Sequence, residues 1–177
     1  DRSFETIVAF GKNSSVPHHA SDETKLKSGM PVLIDFGCKV GGYCSDMTRT
    51  FWFGGKPDDE FADVYNSVLK AHELAKEQIH AGMKGKEADA IARTYLQSKE
   101  LDKFFTHSLG HGIGINIHEY PALSPSGEAV LTDGMVFSIE PGVYFEGKFG
   151  IRIEDSVRLE NGKVVSFMKT DKKLLVL

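Results

Sequence analysis

The strongest constraint on this 177-residue chain is that part of it is written twice. Gly29-Met30-Pro31-Val32-Leu33-Ile34-Asp35-Phe36-Gly37 aligns with Gly134-Met135-Val136-Phe137-Ser138-Ile139-Glu140-Pro141-Gly142 at a constant offset of 105 residues. Each copy reads Gly-Met, three residues, Ile, a carboxylate, one residue, Gly. Each is followed by a glycine-containing turn and a returning segment with a second carboxylate, Asp46 in the first copy and Glu154 in the second. Opposed residues of an antiparallel hairpin count symmetrically from its turn, and side chains alternate between faces. A first hairpin centred between Val40 and Gly41 therefore puts Asp35 and Asp46 on one face, and a centre one residue later keeps them there. Glu140 and Glu154 are centred on Gly147. Four carboxylates aimed from matching faces of two hairpins repel strongly unless cations neutralise them. They are accordingly read as a metal site rather than as structural polar groups.

The rest of the chain supplies ordinary elements around this repeat. Thr6 to Phe10 has strand composition, and Gly11 to Pro17 is rich in turn formers. Pro31 to Phe36 is a short apolar strand, and Tyr43 to Phe53 returns beside it until Gly54-Gly55 and Pro57. Asp58-Asp59-Glu60 open a helix, acidic where the helix dipole favours it. Phe61, Val64, Tyr65, Val68, His72, Ala75 and Ile79 then follow steps of three and four, one apolar face. Gly82 and Gly85 interrupt it, and Ala88, Ile91, Ala92, Tyr95 and Leu96 predict a second, shorter helix. Pro121 to Gly127 reads as a loop, Met135 to Ile139 and Gly150 to Leu159 as strands. No linker or low-complexity tract divides the chain, so residues 1–177 are read as one α+β domain.

Charge and cysteines narrow the function classes. A net charge of −4 gives no reason to expect nucleic acid or an acidic membrane as partner. No apolar run approaches the ~18 residues needed to cross a bilayer. Cys38 and Cys44 flank the Gly41-Gly42 turn, where a bridge is geometrically open, but they are read as two free thiols. The missing disulfide framework points to a reducing, cytoplasmic setting. There is no Gly-x-Ser-x-Gly elbow and no evident cysteine nucleophile. The chain begins Asp1-Arg2-Ser3, without Met, as a piece of a longer protein would.

Histidines complete the pattern: His107-Ser108-Leu109-Gly110-His111-Gly112-Ile113-Gly114 leads into Ile117-His118-Glu119. Glycines beside a histidine let backbone come close to a substrate or metal. Together with Ile34-Asp35-Phe36-Gly37, Ser45-Asp46-Met47-Thr48-Arg49-Thr50, Ile139-Glu140-Pro141-Gly142-Val143-Tyr144 and Gly150-Ile151-Arg152-Ile153-Glu154-Asp155, they make the chain resemble the pita-bread metallopeptidases: aminopeptidase P, prolidase and methionine aminopeptidase. The resemblance implies a pita-bread fold with a pseudo-twofold repeat. It implies two divalent ions held by Asp35, Asp46, His111, Glu140 and Glu154, with Asp46 and Glu154 bridging both. It also implies that His18 lines the substrate site and that His107 and His118 lie near the substrate, His118 holding the scissile carbonyl. Arg152, two residues before Glu154, shares its strand face and could pair with a ligand carboxylate. Glu140 would shuttle the proton of the attacking water. The mostly oxygen donor set suits Mn(II) first, with Co(II), Zn(II) or Fe(II) as alternatives.

Glu140-Pro141-Gly142-Val143-Tyr144 and Arg152-Ile153-Glu154-Asp155 resemble the proline-specific branch. The expectation leans to aminopeptidase P, which releases the residue before a proline at the second position, with prolidase, the Xaa-Pro dipeptidase, as the alternative. Methionine aminopeptidase follows. A non-catalytic binding module, or a metal-free relative acting on a small guanidino compound, would have lost ligands that are all present here. The resemblance further implies a homo-oligomer in the full-length protein, and helices ahead of the first hairpin that this chain does not contain. An N-terminal part would complete the domain, and without it a sheet face stays apolar and open. Of the remaining candidates, His19 is read as pointing away into solvent, His72 and His80 as surface or packing residues, Glu119 as ordering its loop, and Trp52 as core.

Overall fold

The computed structural model describes residues 1–177. The first repeat copy forms a three-stranded antiparallel sheet of β1 (Ile7–Phe10), β2 (Met30–Phe36) and β5 (Met47–Phe53), in the order β1-β2-β5. Between β2 and β5, a small ribbon of β3 (Lys39–Val40) and β4 (Tyr43–Cys44) makes the hairpin tip. Asp35 opposes Thr48 and Val40 opposes Tyr43, so the turn is centred between Gly41 and Gly42. That is one residue later than the first expectation, and Asp35 and Asp46 keep their common face. Lys39 opposes Cys44, so Cys38 and Cys44 stand on opposite faces of the ribbon; both are free thiols.

Helix α1 (Asp59–Gln78) starts as its sequence predicts, the Asp58 carboxylate accepting from the Phe61 N–H at 2.7 Å. Such a cap contributes ~1 kcal/mol. Its buried face is Phe61, Val64, Tyr65, Val68, Ala71, His72 and Ala75. Helix α2 (Gly85–Gln97) follows, the Lys84 N–H donating to Glu87 at its first turn.

The second copy is larger. Strands β6 (Gly110–Gly112), β7 (Glu119–Leu123), β8 (Val136–Ile139), β11 (Asp155–Glu160) and β12 (Lys163–Ser166) form a sheet in the order β12-β11-β8-β6-β7. The ribbon β9 (Gly142–Phe145) and β10 (Phe149–Arg152) lies between β8 and β11 in the chain. Phe145 opposes Phe149 and Ile139 opposes Asp155, which centres this hairpin on Gly147 as expected.

Three sequence expectations are corrected here. Pro121 to Gly127 is a loop only after Leu123, because β7 runs to that residue. A proline fits there because β7 is the sheet edge and needs no N–H donor on its open side. The expected strands Tyr43 to Phe53 and Gly150 to Leu159 are each broken, at Ser45-Asp46 and at Ile153-Glu154. The cause is the same in both copies: at the second carboxylate the backbone leaves its own ladder and bonds to the other copy. The Asp46 N–H donates to Ser156 Oγ at 3.0 Å, and that hydroxyl donates to the Asp46 carbonyl at 2.7 Å. The Glu154 N–H donates to the Thr48 carbonyl at 3.1 Å. The Thr50 hydroxyl links to the Arg152 backbone in both directions.

Helix α1 packs on β8, β9, β10 and β12, and α2 on β7. Phe61, Tyr65, Phe137, Ile139, Ile151 and Ile153 are buried between these layers. Each such side chain contributes ~1.5–3 kcal/mol by leaving water. Trp52 is core, its ring 4.8 Å from that of Phe61. On the face of the first sheet away from Asp35, Ile34, Phe51 and Phe53 are half-buried and Phe36 is exposed. No helix is long and apolar enough to cross a membrane.

Candidate metal centre

The two breaks face each other across the seam between the copies. Asp35 projects from β2, Asp46 from just before β5, Glu140 from just after β8, and Glu154 from between β10 and β11. His111 enters from β6, its Nε2 3.2 Å from Glu140 Oε1 and 3.6 Å from Asp46 Oδ2. Ligand atoms of Asp46, His111 and Glu154 all lie within 4.8 Å of one another. The His111 Nδ1 is 3.0 Å from the Gly112 carbonyl, which can only accept, so Nδ1 carries a proton there and Nε2 is the ring atom turned to the carboxylates.

Strands β6 and β8 must approach closely to bring His111 to the carboxylates. Gly110 permits this, since a Cβ there would lie 2.0 Å from the Ser138 carbonyl oxygen, and Gly112 permits the matching approach of β7, where a Cβ would lie 2.1 Å from the Tyr120 carbonyl oxygen. These glycines serve backbone-to-backbone approach, and Gly110 also lines the cavity around the centre.

Three carboxylate oxygens at the centre, Asp35 Oδ1, Asp46 Oδ1 and Glu154 Oε1, are buried without a hydrogen-bond partner. Leaving one such atom unsatisfied costs ~1–3 kcal/mol and more when it is charged. Three together fit a site for cations, and a set of four carboxylates and one imidazole is chemically suited to divalent metals. Three further carboxylate oxygens are held by the protein. Arg152 Nη2 donates to Asp35 Oδ2 at 2.6 Å, Thr48 Oγ1 to Glu154 Oε2 at 2.6 Å, and Ser138 Oγ to Glu140 Oε1 at 2.9 Å.

Protonation reflects the same crowding. Burial, then the charges of Asp35 and Glu140, push Asp46 up to about 8. Burial, then Glu140, Asp46 and Asp35, raise Glu154 well above the usual carboxylate range. Burial also opposes ionisation of Glu140, but the His111 hydrogen bond and the charges of His107, His111 and Arg152 hold it down at about 2. For His111, burial disfavours the charged ring, yet the Glu140 hydrogen bond and the neighbouring carboxylates outweigh it and its pKa rises. Asp46, Glu154 and His111 thus retain protons where a cation would displace them.

Around this centre is a cavity of about 580 Å³, lined by every residue singled out from the sequence: His18, Asp35, Asp46, His107, His111, His118, Glu140, Arg152 and Glu154. His118 stands exposed at the rim, its ring edge-on to His111 at 4.2 Å. His107 Nε2 lies 2.9 Å from the Tyr144 hydroxyl, which also takes a 2.8 Å bond from Arg152 Nη1. Arg152 Nε adds a 3.0 Å bond to Thr48 Oγ1. The expected pairing of Arg152 with a carboxylate is therefore with Asp35.

His19 departs from expectation. Read from the sequence as solvated, it lines the cavity with its side chain only 13% exposed, and sits 3.9 Å from Asp22. His72 is a buried packing residue, His80 is exposed, and Glu119 accepts from the Asn116 N–H. Thr48, Ser138 and Tyr144 had been given no role. Thr48 and Ser138 lie two residues from Asp46 and Glu140, so the same-face rule that found Arg152 would have found them. Phe4 and Ile7, which form apolar wall, carried no such signal.

Comparison with known proteins agrees with this geometry. The sequence profile of metallopeptidase family M24 matches residues 1–161. A Xaa-Pro dipeptidase of Pyrococcus furiosus is 40% identical over 172 residues, 97% of this chain and 49% of its own length. A prolidase from Thermococcus sibiricus superposes over all of this chain and 48% of its own, with a TM-score of 0.98 and 44% identity. An X-prolyl aminopeptidase from Caenorhabditis elegans, described as a cytosolic enzyme with a di-nuclear active site, covers 93% of this chain and 29% of its own, with a TM-score of 0.85 and 31% identity. The chain spans about half the length of the curated relatives it matches. The pita-bread architecture that the resemblance implies is the one these prolidases share, with the two helices of this chain in place between the hairpins. A profile match over most of the chain, on a fold whose two copies converge on four carboxylates and an imidazole, makes this chain a member of metallopeptidase family M24.

Proposed function

We propose that the full-length protein is a Xaa-Pro peptidase with a dinuclear metal centre, acting foremost as a dipeptidase. The observation that carries this reading is the trio of orphaned carboxylate oxygens beside His111 Nε2 in a cavity of peptide size. The motif wording leaned to aminopeptidase P. The order of the two readings is reversed here because a prolidase and two dipeptidases superpose with TM-scores of 0.97–0.98, against 0.95 and 0.85 for two X-Pro aminopeptidases.

Asp35, Asp46, His111, Glu140 and Glu154 would hold the ions. Two divalent ions, Mn(II) as first choice, would supply Lewis acidity toward a water and the scissile carbonyl. The chain's own groups do the rest. Arg152 and Thr48 hold the rear oxygens of Asp35 and Glu154, so that the free oxygens face the centre. Glu140, ionised and fixed by Ser138, accepts the water's proton and passes it to the leaving proline nitrogen. His118 at the rim donates to the carbonyl oxygen as charge develops. His18 and His107 line the peptide's path, and Phe4, Ile7 and Ile117 offer apolar wall to the proline ring. The rest of the full-length protein would cover the open face beside Phe36 and complete a homo-oligomeric enzyme.

The test uses full-length protein stripped of metal, given a Xaa-Pro dipeptide and a Xaa-Pro-Yaa tripeptide with and without Mn(II). Mn(II)-dependent cleavage of the dipeptide is expected. Release of Xaa from the tripeptide alone would restore the aminopeptidase P reading, and no cleavage of either with any of the four metals would overturn both.

A further inference from the structure

Behind the metal centre, on the side away from the cavity, lies a second buried charge cluster that none of the chemistry above uses. Asp155 follows Glu154 directly and is fully buried. Its Oδ1 takes a 2.8 Å bond from Arg49 Nη2, and its Oδ2 takes 2.8 Å bonds from Ser166 Oγ and Lys172 Nζ. Two cations thus meet one carboxylate. His72, the remaining neighbour at 3.9 Å, is kept neutral, its pKa lowered to about 3 by burial, despite Asp155 and helped by Lys172 and Arg49.

Arg49 is what connects this cluster to the centre. Its Nη1 donates to the Thr48 carbonyl at 2.9 Å and to the Glu154 carbonyl at 2.5 Å. One guanidinium therefore clamps the backbones on which Asp46 and Glu154 are carried, one from each repeat copy. Asp155 sets the aim of Arg49, and Lys172 sets the aim of Asp155. Lys172 itself belongs to an irregular strap, residues 168–177, that crosses the back of the site. Its carbonyl accepts from the Tyr65 hydroxyl at 2.9 Å, the Thr170 carbonyl lies 3.5 Å from Arg49 Nη2, and Leu175 and Leu177 bond to the backbone of Trp52 and Gly54 beside β5.

We propose that Lys172 is a positioning residue for the metal centre: through Asp155 and Arg49, the strap it anchors sets the spacing of the two backbones that carry Asp46 and Glu154. The proposal rests on the metallopeptidase reading. A metal site tolerates errors of only a few tenths of an ångström in its ligands, and loss of an outer partner typically weakens metal binding ~10–100-fold. Without the Lys172 ammonium, Asp155 keeps one cation in a fully buried pocket, and the Arg49 clamp is free to shift with it.

The experiment compares the metal-stripped full-length wild type with K172M and K172R, titrating Mn(II) calorimetrically and measuring apo melting temperature and the kinetics of Xaa-Pro cleavage. K172M should bind Mn(II) about tenfold more weakly and lose kcat at saturating metal with KM unchanged. K172R should restore affinity to within about twofold, because it returns the charge. Wild-type affinity in a folded K172M overturns the proposal, and so does a lowered melting temperature with wild-type affinity and kcat, which marks a merely structural strap. Should K172M fail to fold, Y65F removes only the phenol's hold on the strap and should weaken Mn(II) binding about threefold; unchanged affinity there also overturns it. A wild type that binds Mn(II) but cleaves no Xaa-Pro peptide would sink the substrate reading while leaving the affinity comparison intact.

Discussion

Thr48 shows how much of this centre hangs on single uncharged atoms. Its hydroxyl donates to Glu154 Oε2 at 2.6 Å and accepts from Arg152 Nε at 3.0 Å. It therefore ties a candidate ligand of the second copy to the arginine that holds Asp35. Thr48→Val keeps the shape and removes both bonds, leaving a buried carboxylate oxygen and a buried guanidinium nitrogen unpaired. Mn(II) affinity should fall about tenfold or more, whereas Thr48→Ser, which keeps the hydroxyl, should stay within about threefold of wild type. Calorimetric titration of both variants checks this, and equal affinities for Val and Ser would refute the role. The residue was legible in principle, since it stands two places after Asp46 on the same face. What the sequence could not tell is that its partners would come from the other copy, more than a hundred residues away.

At the level of elements, the strand that carries the only imidazole of the candidate ligand set is among the shortest. Strand β6 is three residues long, two of them glycine, and has no periodicity from which to predict it. Yet it carries His111 and joins β7 to β8. Its position depends on Gly110 passing against the Ser138 carbonyl, where an added Cβ would sit 2.0 Å from a backbone oxygen. A backbone atom in the middle of a sheet cannot swing aside as a side chain can. Gly110→Ala should therefore cost about 3 kcal/mol or more, seen as a lower urea midpoint, and should abolish Mn(II) binding because His111 moves with the strand. A variant with wild-type midpoint and affinity would show that β6 can yield. By contrast, α1 and its acidic start were plain in the sequence, because dipole preference and helical spacing are local properties.

For the whole molecule, the centre is a balance of charge that the chain does not close with its own cations. Four carboxylates face Arg152 and His111, and Asp46 is raised to about 8 as a result. A carboxyl whose folded pKa lies above its unfolded value stabilises the fold at low pH and loses that contribution as pH rises through the folded value. The metal-free protein should thus lose stability between about pH 4 and pH 8, and Mn(II) should restore it at the upper end by binding only the folded state. Asp46→Asn removes the titration, so its metal-free stability should vary less over that range, and Mn(II) should no longer raise its melting temperature. Thermal melts of both proteins at pH 5 and pH 8, with and without Mn(II), give the comparison; an Asn variant still stabilised by Mn(II) would contradict the ligand assignment.

The division between sequence and tertiary structure follows from range. The sequence by itself determined the repeat, the shared face of each carboxylate pair, the turn at Gly147 and the apolar face of α1, because strand alternation and helical period act between near neighbours. It also named nine of the residues that line the cavity, through a resemblance carried by motifs in order. Only the tertiary structure decided where each strand breaks, since the ladders open at Asp46 and Glu154 to bond across the seam between copies. It alone paired Arg152 with Asp35 and turned His19 into the cavity. It alone placed Lys172 and Arg49 behind Glu154, contacts that span more than a hundred residues for Arg49 and exist only once the two copies have closed on each other.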